Sequence, residues 1–328
     1  MKIQFALQFL LLLVFLSCQN DKPKEKTEEV QKPKIVAPKF NADNAFQFIE
    51  KQLSFGPRVP GTKAHDSCAS WLEEQFKNYG AQVIIQQAEM PGTSKTYKIK
   101  NIIASFNPAA AQRILLCAHW DTREMADQDT ERKNEPIPGA DDGGSGVGVL
   151  LEIARIINEN KLKNIGVDIV LFDAEDQGES GMGGKRESWC LGAQYWSKNP
   201  HVPNYTASFG VLLDMVGARS AKFPKEGISQ KHASYYVDRI WKTAWGLGYS
   251  DFFLNVDERQ IIDDHLYVNE IRKIPTVDII YISQDSPTGF GSHWHTHKDN
   301  IDVIGKTTLS AVGQTLVQVL YEEDMPQK

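Results

Sequence analysis

Cysteine is scarce. Four are scattered through 328 residues, too few for a disulfide framework, and their spacings do not suggest a cysteine-based zinc site. Cys68, Cys117 and Cys190 permit at most one bond and none is expected; Cys117, inside an apolar run, fits a small core residue. A basic excess is also missing. The net charge of −6 leaves no electrostatic footprint for nucleic acid. No internal repeat is present, and the apolar run at residues 3–17 is too short for a comfortable membrane span. What remains, 41% hydrophobic and 24% charged residues, is ordinary for a globular protein and defines a class, not a function.

The N-terminus is more informative. Lys2 precedes "IQFALQFLLLLVFLS" and then Cys18, the arrangement of a secretory signal. "FLSC" resembles a relaxed bacterial lipobox. By that resemblance residues 1–17 are a signal peptide and Cys18 is lipidated as the mature N-terminus; plain cleavage near Ser17, or an uncleaved anchor, is the alternative. Residues 19–39, rich in Lys, Glu and Pro, bury too little to fold, so residues 18–39 read as a lipid-anchored tether. The expectation is an exported protein facing the bacterial periplasm, touching the membrane through this anchor alone, with a folded domain over 40–328.

Within that domain, residues 43–55, 62–79, 146–160, 229–247 and 305–323 have helical periodicity. Residues 81–90, 97–106, 113–119, 167–173, 209–214 and 274–282 read as strands. Strands alternate with helices and the central strands are apolar throughout. The pattern predicts a single α/β domain, a three-layer α/β/α stack around a mixed, mostly parallel twisted sheet. Excursions interrupt it at 121–140 and 177–190.

In such sheets ligands bind at the carboxyl ends of the strands, and polar residues gather there. His119 and Asp121 end one strand ("AHWD"), Asp141 and Asp142 precede a helix ("GADDGGSG"), and Glu175 and Asp176 follow another strand ("FDAED"). Asp214 ends "LLD", Asp263 lies in "IIDDHL", and His293, Trp294, His295 and His297 lie in "GSHWHTHKDN". Each has a plain account alone: Asp142 as a helix N-cap, Asp176 as a solvated acid, Asp214 as a turn residue, His119 as a hydrogen-bonded histidine at a sheet edge. Together they put several carboxylates in one crevice, where a cation is the usual remedy for their repulsion. Oxygen and imidazole ligands without thiolate suit zinc, and less specifically manganese or iron. Asp142, Asp176 and one histidine would leave an open coordination position, with Glu175 adjacent and free as a general base.

"AHWD", "GADDGGSGVGVLLEIAR", "FDAED", "LLDMVGA", "DDH" and "WHT" occur in the order found in the zinc aminopeptidase superfamily. Over roughly 45–323 the chain looks most like its glutaminyl-peptide cyclotransferase branch, the zinc type of animals and some bacteria. The resemblance implies one catalytic zinc held by Asp142, Asp176 and His295, with Glu175 as acid/base and Asp214 and Asp263 as further active-site acids. It also implies Trp294, with Trp189 as a second candidate, as pocket walls. Its reaction turns an N-terminal glutamine of a peptide or protein into pyroglutamate, and a monomer is expected. The chain departs in having Asp176 where animal enzymes have Glu, and in cysteines that do not align with their disulfide. Asp278 replaces an imidazole of the network, or is a partly exposed strand acid. His119, Asp121 and Asp278 are candidates to support the ligands or a second metal. A two-zinc aminopeptidase is the first rival, because His119, Asp142, Asp176, Asp214 and His295 fill its five positions; a catalytically dead binding domain is the second. If Trp294 and His295 line one pocket, residues 293–297 must be an irregular loop, since neighbours in a strand point apart. His293 and His297 then read as supporting residues.

Overall fold

The computed structural model describes residues 35–179, 185–219 and 221–326. Two amphipathic helices, α1 (Ala42–Leu53) and α2 (Lys63–Asn78), precede a hairpin of β1 (Gln82–Pro91) and β2 (Thr96–Phe106). Strand–helix alternation follows: β3 (Gln112–His119), α3 (Ser145–Glu159), β4 (Ile165–Phe172), α4 (Leu191–Lys198) and β5 (Phe209–Asp214). A short strand β6 (Phe223–Lys225), α5 (Gly227–Gly246) and β7 (Phe253–Asp257) come next. One turn of helix α6 (Asp264–Tyr267), β8 (Thr276–Ile280) and the closing α7 (Lys306–Glu323) complete the order.

Six strands form one mixed sheet in the order β1-β2-β4-β3-β5-β8. The four strands β4, β3, β5 and β8 run parallel, while β2 joins β4 antiparallel and β1 pairs antiparallel with β2. The composition of each strand accounts for its place. β4, β5 and β8 are buried along their whole length, as continuous apolar runs covered on both faces must be. β1 is half-exposed, with Gln82, Gln86, Gln87 and Glu89 interspersed, and forms the outer edge.

Alternate residues of the central strands feed two cores. Leu116, Ala118, Ile169, Leu171, Val211 and Leu213 pack with the helical layer that includes α1, α3, α5 and α7. Leu115, Cys117, Val170, Phe172 and Leu212 face the opposite layer, with Trp196 of α4 and Leu266 of α6. Buried Asp168 on β4 is a purely structural acid: Arg113 donates to both its oxygens, and Ser105 and Tyr205 complete its shell.

Packing against the domain starts ahead of Phe40. Gln318 Nε2 donates to the carbonyl of Ile35, and Gln314 Nε2 to that of Pro38. Cys18, the signal and the rest of the tether lie outside the described residues. Cys68, Cys117 and Cys190 are buried and free. Among the described residues no helix is long and apolar enough to cross a membrane.

Helix α3 approaches the sheet so closely that Gly146 has no room for a side chain. A Cβ there would lie 2.4 Å from the Leu213 carbonyl oxygen and 2.9 Å from the Ala118 Cβ. Gly146→Ala, which on an open helix surface would gain roughly 1 kcal/mol, is expected to lose about 1–3 kcal/mol by overpacking. Chemical denaturation measures it; an unchanged or raised midpoint would refute this close packing.

Candidate active site

The ends of β3, β4, β5 and the loops beyond them converge on one buried cluster. The segment before α3 is held from outside itself. Asp299 accepts from the backbone N–H of Asp141 at 2.8 Å and of Asp142 at 3.1 Å. Asp141 in turn accepts from the N–H groups of Gly217 and Ala218, and from His293 Nε2 at 2.8 Å. Gly143 must be glycine: its φ is +86° and a Cβ would fall 2.2 Å from the Asp121 carbonyl oxygen. The helix is capped at Gly144 without any side-chain bond, so Asp142 is not its N-cap. Its carboxylate instead enters the cluster, with Oδ1 3.1 Å from His119 Nε2 and Oδ2 without a hydrogen-bond partner.

Beyond β4 the chain turns sharply at Ala174, whose φ is +52°. Asp173 anchors the turn. It accepts from the backbone N–H of Lys100 and from His65 Nε2 at 2.9 Å, and the His65 ring stacks on Trp120. Asp121 accepts from the N–H groups of Glu175 and Asp176 and from Gln177 Nε2. It thus holds the backbone that presents Glu175 and Asp176. Cys190 Sγ donates to Glu175 Oε1 at 3.2 Å.

Residues 292–295 form a turn, and His295 adopts φ +55°. The irregular geometry expected for 293–297 is therefore present, and the three histidines separate. His295 Nε2 lies 3.0 Å from Asp176 Oδ1 and 3.8 Å from Asp142 Oδ2, and its Nδ1 donates to Asp127 at 2.8 Å. His293 serves Asp141, and His297 pairs with Asp129 at 2.7 Å. The Trp294 ring stacks on His295 with centroids 3.5 Å apart; Trp189 lies nearly parallel to the same imidazole at 6.3 Å. A Cβ on Gly178 would strike the Trp189 indole at 2.0 Å, so this glycine gives the ring its place.

Asp142, Asp176 and His295 each offer a ligand atom within 4.8 Å of the others, all three buried. Oδ2 of both aspartates lacks a partner, an expensive state for buried carboxylates unless a cation is bound. Electrostatics agrees. Burial and Asp142 push Asp176 up despite His295. Against burial, Asp176 and Asp127 raise His295 to about 9, the mark of a surplus of negative charge around it. The donor set fits zinc.

A second group, His119, Asp142 and Asp214, adjoins the first; His119 Nε2 is 3.1 Å from an oxygen of each aspartate, much as His295 Nε2 is 3.0 Å from Asp176. Burial, with Asp263 adding to it, raises Asp214 to about 8. Asp263 lies within 4.8 Å of Glu175 and Cys190 and caps α6. Burial drives Glu175 well above the carboxylate range, reinforced by Asp263, Asp176 and Asp264. Asp278 is fully buried, which removes its reading as a partly exposed strand acid; it lies beside His265, whose Nδ1 is 3.6 Å away. Sequence reading missed Arg123, Asp127, Asp299 and the Cys190–Glu175 contact. Asp299 stood within the singled-out segment, but nothing in its spacing marked it.

A zinc-binding enzyme of aminopeptidase type is what this fold and site define. The chain belongs to peptidase family M28, whose model matches residues 101–320. Within that family the likeness is to glutaminyl cyclases. The solved glutaminyl cyclase of Tannerella forsythia has 49% identity and a TM-score of 0.84, covering 87% of this chain and 99% of that one. A solved structure described as a Zn-dependent exopeptidase, from Parabacteroides distasonis, is as similar, with 48% identity, a TM-score of 0.85 and the same coverage. The glutaminyl-peptide cyclotransferase of Drosophila melanogaster is 26% identical over 278 residues, 77% of this chain and 73% of its own.

Zinc added to chelator-treated protein is expected to raise the melting temperature. At free zinc about 100 times the dissociation constant the gain is about 2.7 kcal/mol, and Asp176→Asn or His295→Ala should lose most of the response. Thermal denaturation with and without zinc checks this; equal melting temperatures in the wild type would contradict the metal assignment.

Proposed function

We propose that the chain is a glutaminyl-peptide cyclotransferase, converting N-terminal glutamine of peptides or proteins to pyroglutamate and ammonia with one zinc ion. The observation that carries this reading is the pair of indoles, Trp294 and Trp189, flanking the imidazole of His295. Flat apolar walls beside the ligand suit a small folded side chain. Asp142, Asp176 and His295 would hold the zinc, which when bound acts as a Lewis acid on the γ-amide carbonyl. Glu175 takes a proton from the substrate α-amine, whose nitrogen then attacks the carbonyl carbon of that γ-amide, Cδ. A ring C–N bond forms, the bond to the amide nitrogen breaks, and Glu175 returns the proton to the leaving nitrogen as ammonia departs. Burial raises the proton affinity of the Glu175 carboxyl, which favours its taking up the amine proton. Because the attack is intramolecular, the pocket needs chiefly to hold the folded conformer. Asp214 and Asp263, buried acids beside this centre, are placed to orient the amine or leaving group.

A two-metal aminopeptidase has one observation in its favour, the second group of His119, Asp142 and Asp214. Against it stands the first group, in which two aspartates, Asp142 and Asp176, each keep a partnerless Oδ2 beside His295. Metal stoichiometry distinguishes one tightly held zinc from two. Incubation with Gln-Xaa peptides distinguishes the products: ammonia with an otherwise intact peptide for cyclisation, free glutamine for hydrolysis. Glu175→Gln is expected to lower kcat by about 10²–10⁴-fold with zinc content unchanged, and activity at the wild-type level would remove Glu175 from its role.

The N-terminal sequence supports export and lipid anchoring at Cys18, with the domain on a periplasmic tether. Cys18→Ala is expected to move the protein from the membrane to the soluble fraction on cell fractionation; unchanged membrane retention would favour an uncleaved anchor.

A further inference from the structure

The excursion after β3 does more than close over the site. Arg123, 3% exposed, grips Asp127 with a two-pronged fork, Nε to Oδ1 at 3.0 Å and Nη2 to Oδ2 at 3.1 Å. Its Nη1 donates to the Asp176 carbonyl oxygen at 2.8 Å and approaches Asp176 Oδ1 at 3.4 Å, while Nη2 also reaches the Gly178 carbonyl oxygen at 3.2 Å. The Trp189 indole lies over the guanidinium at 5.0 Å. Asp127 in turn accepts from His295 Nδ1, and the next residue, Gln128, donates its N–H to the His295 carbonyl oxygen at 3.2 Å. A proton fixed on Nδ1 leaves Nε2 as the lone pair facing Asp142 and Asp176.

We propose that Arg123 and Asp127 are positioning residues that lock the His295 and Asp176 ligands and the Trp189 wall into one frame, so that metal affinity and substrate binding share a single arginine. The inference rests on the reading of Asp142, Asp176 and His295 as the zinc site. Asp127 contacts His295 and Arg123 but neither Asp176 nor Trp189, whereas Arg123 contacts Asp127, Asp176 and Trp189 directly. The two residues are therefore separable by their effects.

The test measures zinc dissociation by competition with a chromogenic chelator, and peptide KM at saturating zinc, on the full domain. Asp127→Ala should weaken zinc by about 10–100-fold, and Asp127→Asn by less, both raising KM less than a change at Arg123 does once zinc is saturating. Arg123→Lys, which keeps the charge but loses the fork and the flat stacking face, should weaken zinc and also raise KM. A merely structural role would lower the melting temperature of these variants and leave their zinc affinity at the wild-type value; that result overturns the inference. A wild-type chain that binds no zinc, or a His295→Ala variant that binds as tightly as wild type, overturns the metal reading itself.

Discussion

Buried negative charge is the constraint on which the rest of this molecule depends. Asp121, Asp142, Asp173, Asp176, Asp214, Asp263, Asp264, Asp278 and Asp299 are all buried, and most crowd the carboxyl ends of parallel strands. Such groups survive only when paired, protonated or metal-bound. The histidines do much of the pairing. His65 answers Asp173, His119 answers Asp142 and Asp214, His265 answers Glu226, His293 answers Asp141, and His295 answers Asp127 and Asp176. Backbone N–H groups do more, at Asp121, Asp141 and Asp299. Partnerless oxygens remain on Asp142, Asp176, Asp263, Asp264 and Asp278; those of Asp142 and Asp176 lie beside His295, where a cation would answer them.

The acids fall into two working sets. Asp121, Asp141, Asp173 and Asp299 accept from the main chain and shape the turns. Asp142, Asp176, Glu175, Asp214 and Asp263 keep oxygens directed at the centre. The supporting set explains how short polar loops hold their geometry without regular structure, since each turn is tied to a carboxylate from a different part of the chain. Chemistry and architecture use the same residue type, and the number of main-chain donors each receives separates them.

Much of this was legible in the sequence because the fold's strongest signals are local. Unbroken apolar runs such as 167–173 specify buried strands, and an acid placed directly after such a run is marked by contrast. The turn at His295 followed from the demand that adjacent Trp294 and His295 share a pocket. The elements that went unread are short: α4, the β6–β7 pair and α6 span too few residues for a period to emerge. The antiparallel joining of β2 to β4 depends on pairing between distant strands. Arg123 and Asp127 were invisible for a related reason. They sit in an excursion without periodicity, and Asp127 meets His295 across 168 positions of chain. Trp189 was ambiguous behind a glycine-rich insertion; Gly178, which makes room for its indole, carries no mark of that duty in the sequence.

Four non-glycine residues in left-handed backbone, Ala174, Cys190, Met215 and His295, border this one site. Each costs on the order of 1–3 kcal/mol that the surrounding packing must offset. Stability and catalysis therefore make opposing demands at the same few positions. Selection for heat resistance alone would favour glycine at Ala174 and Met215, and would erode the stiffness that aims Glu175 and Asp214.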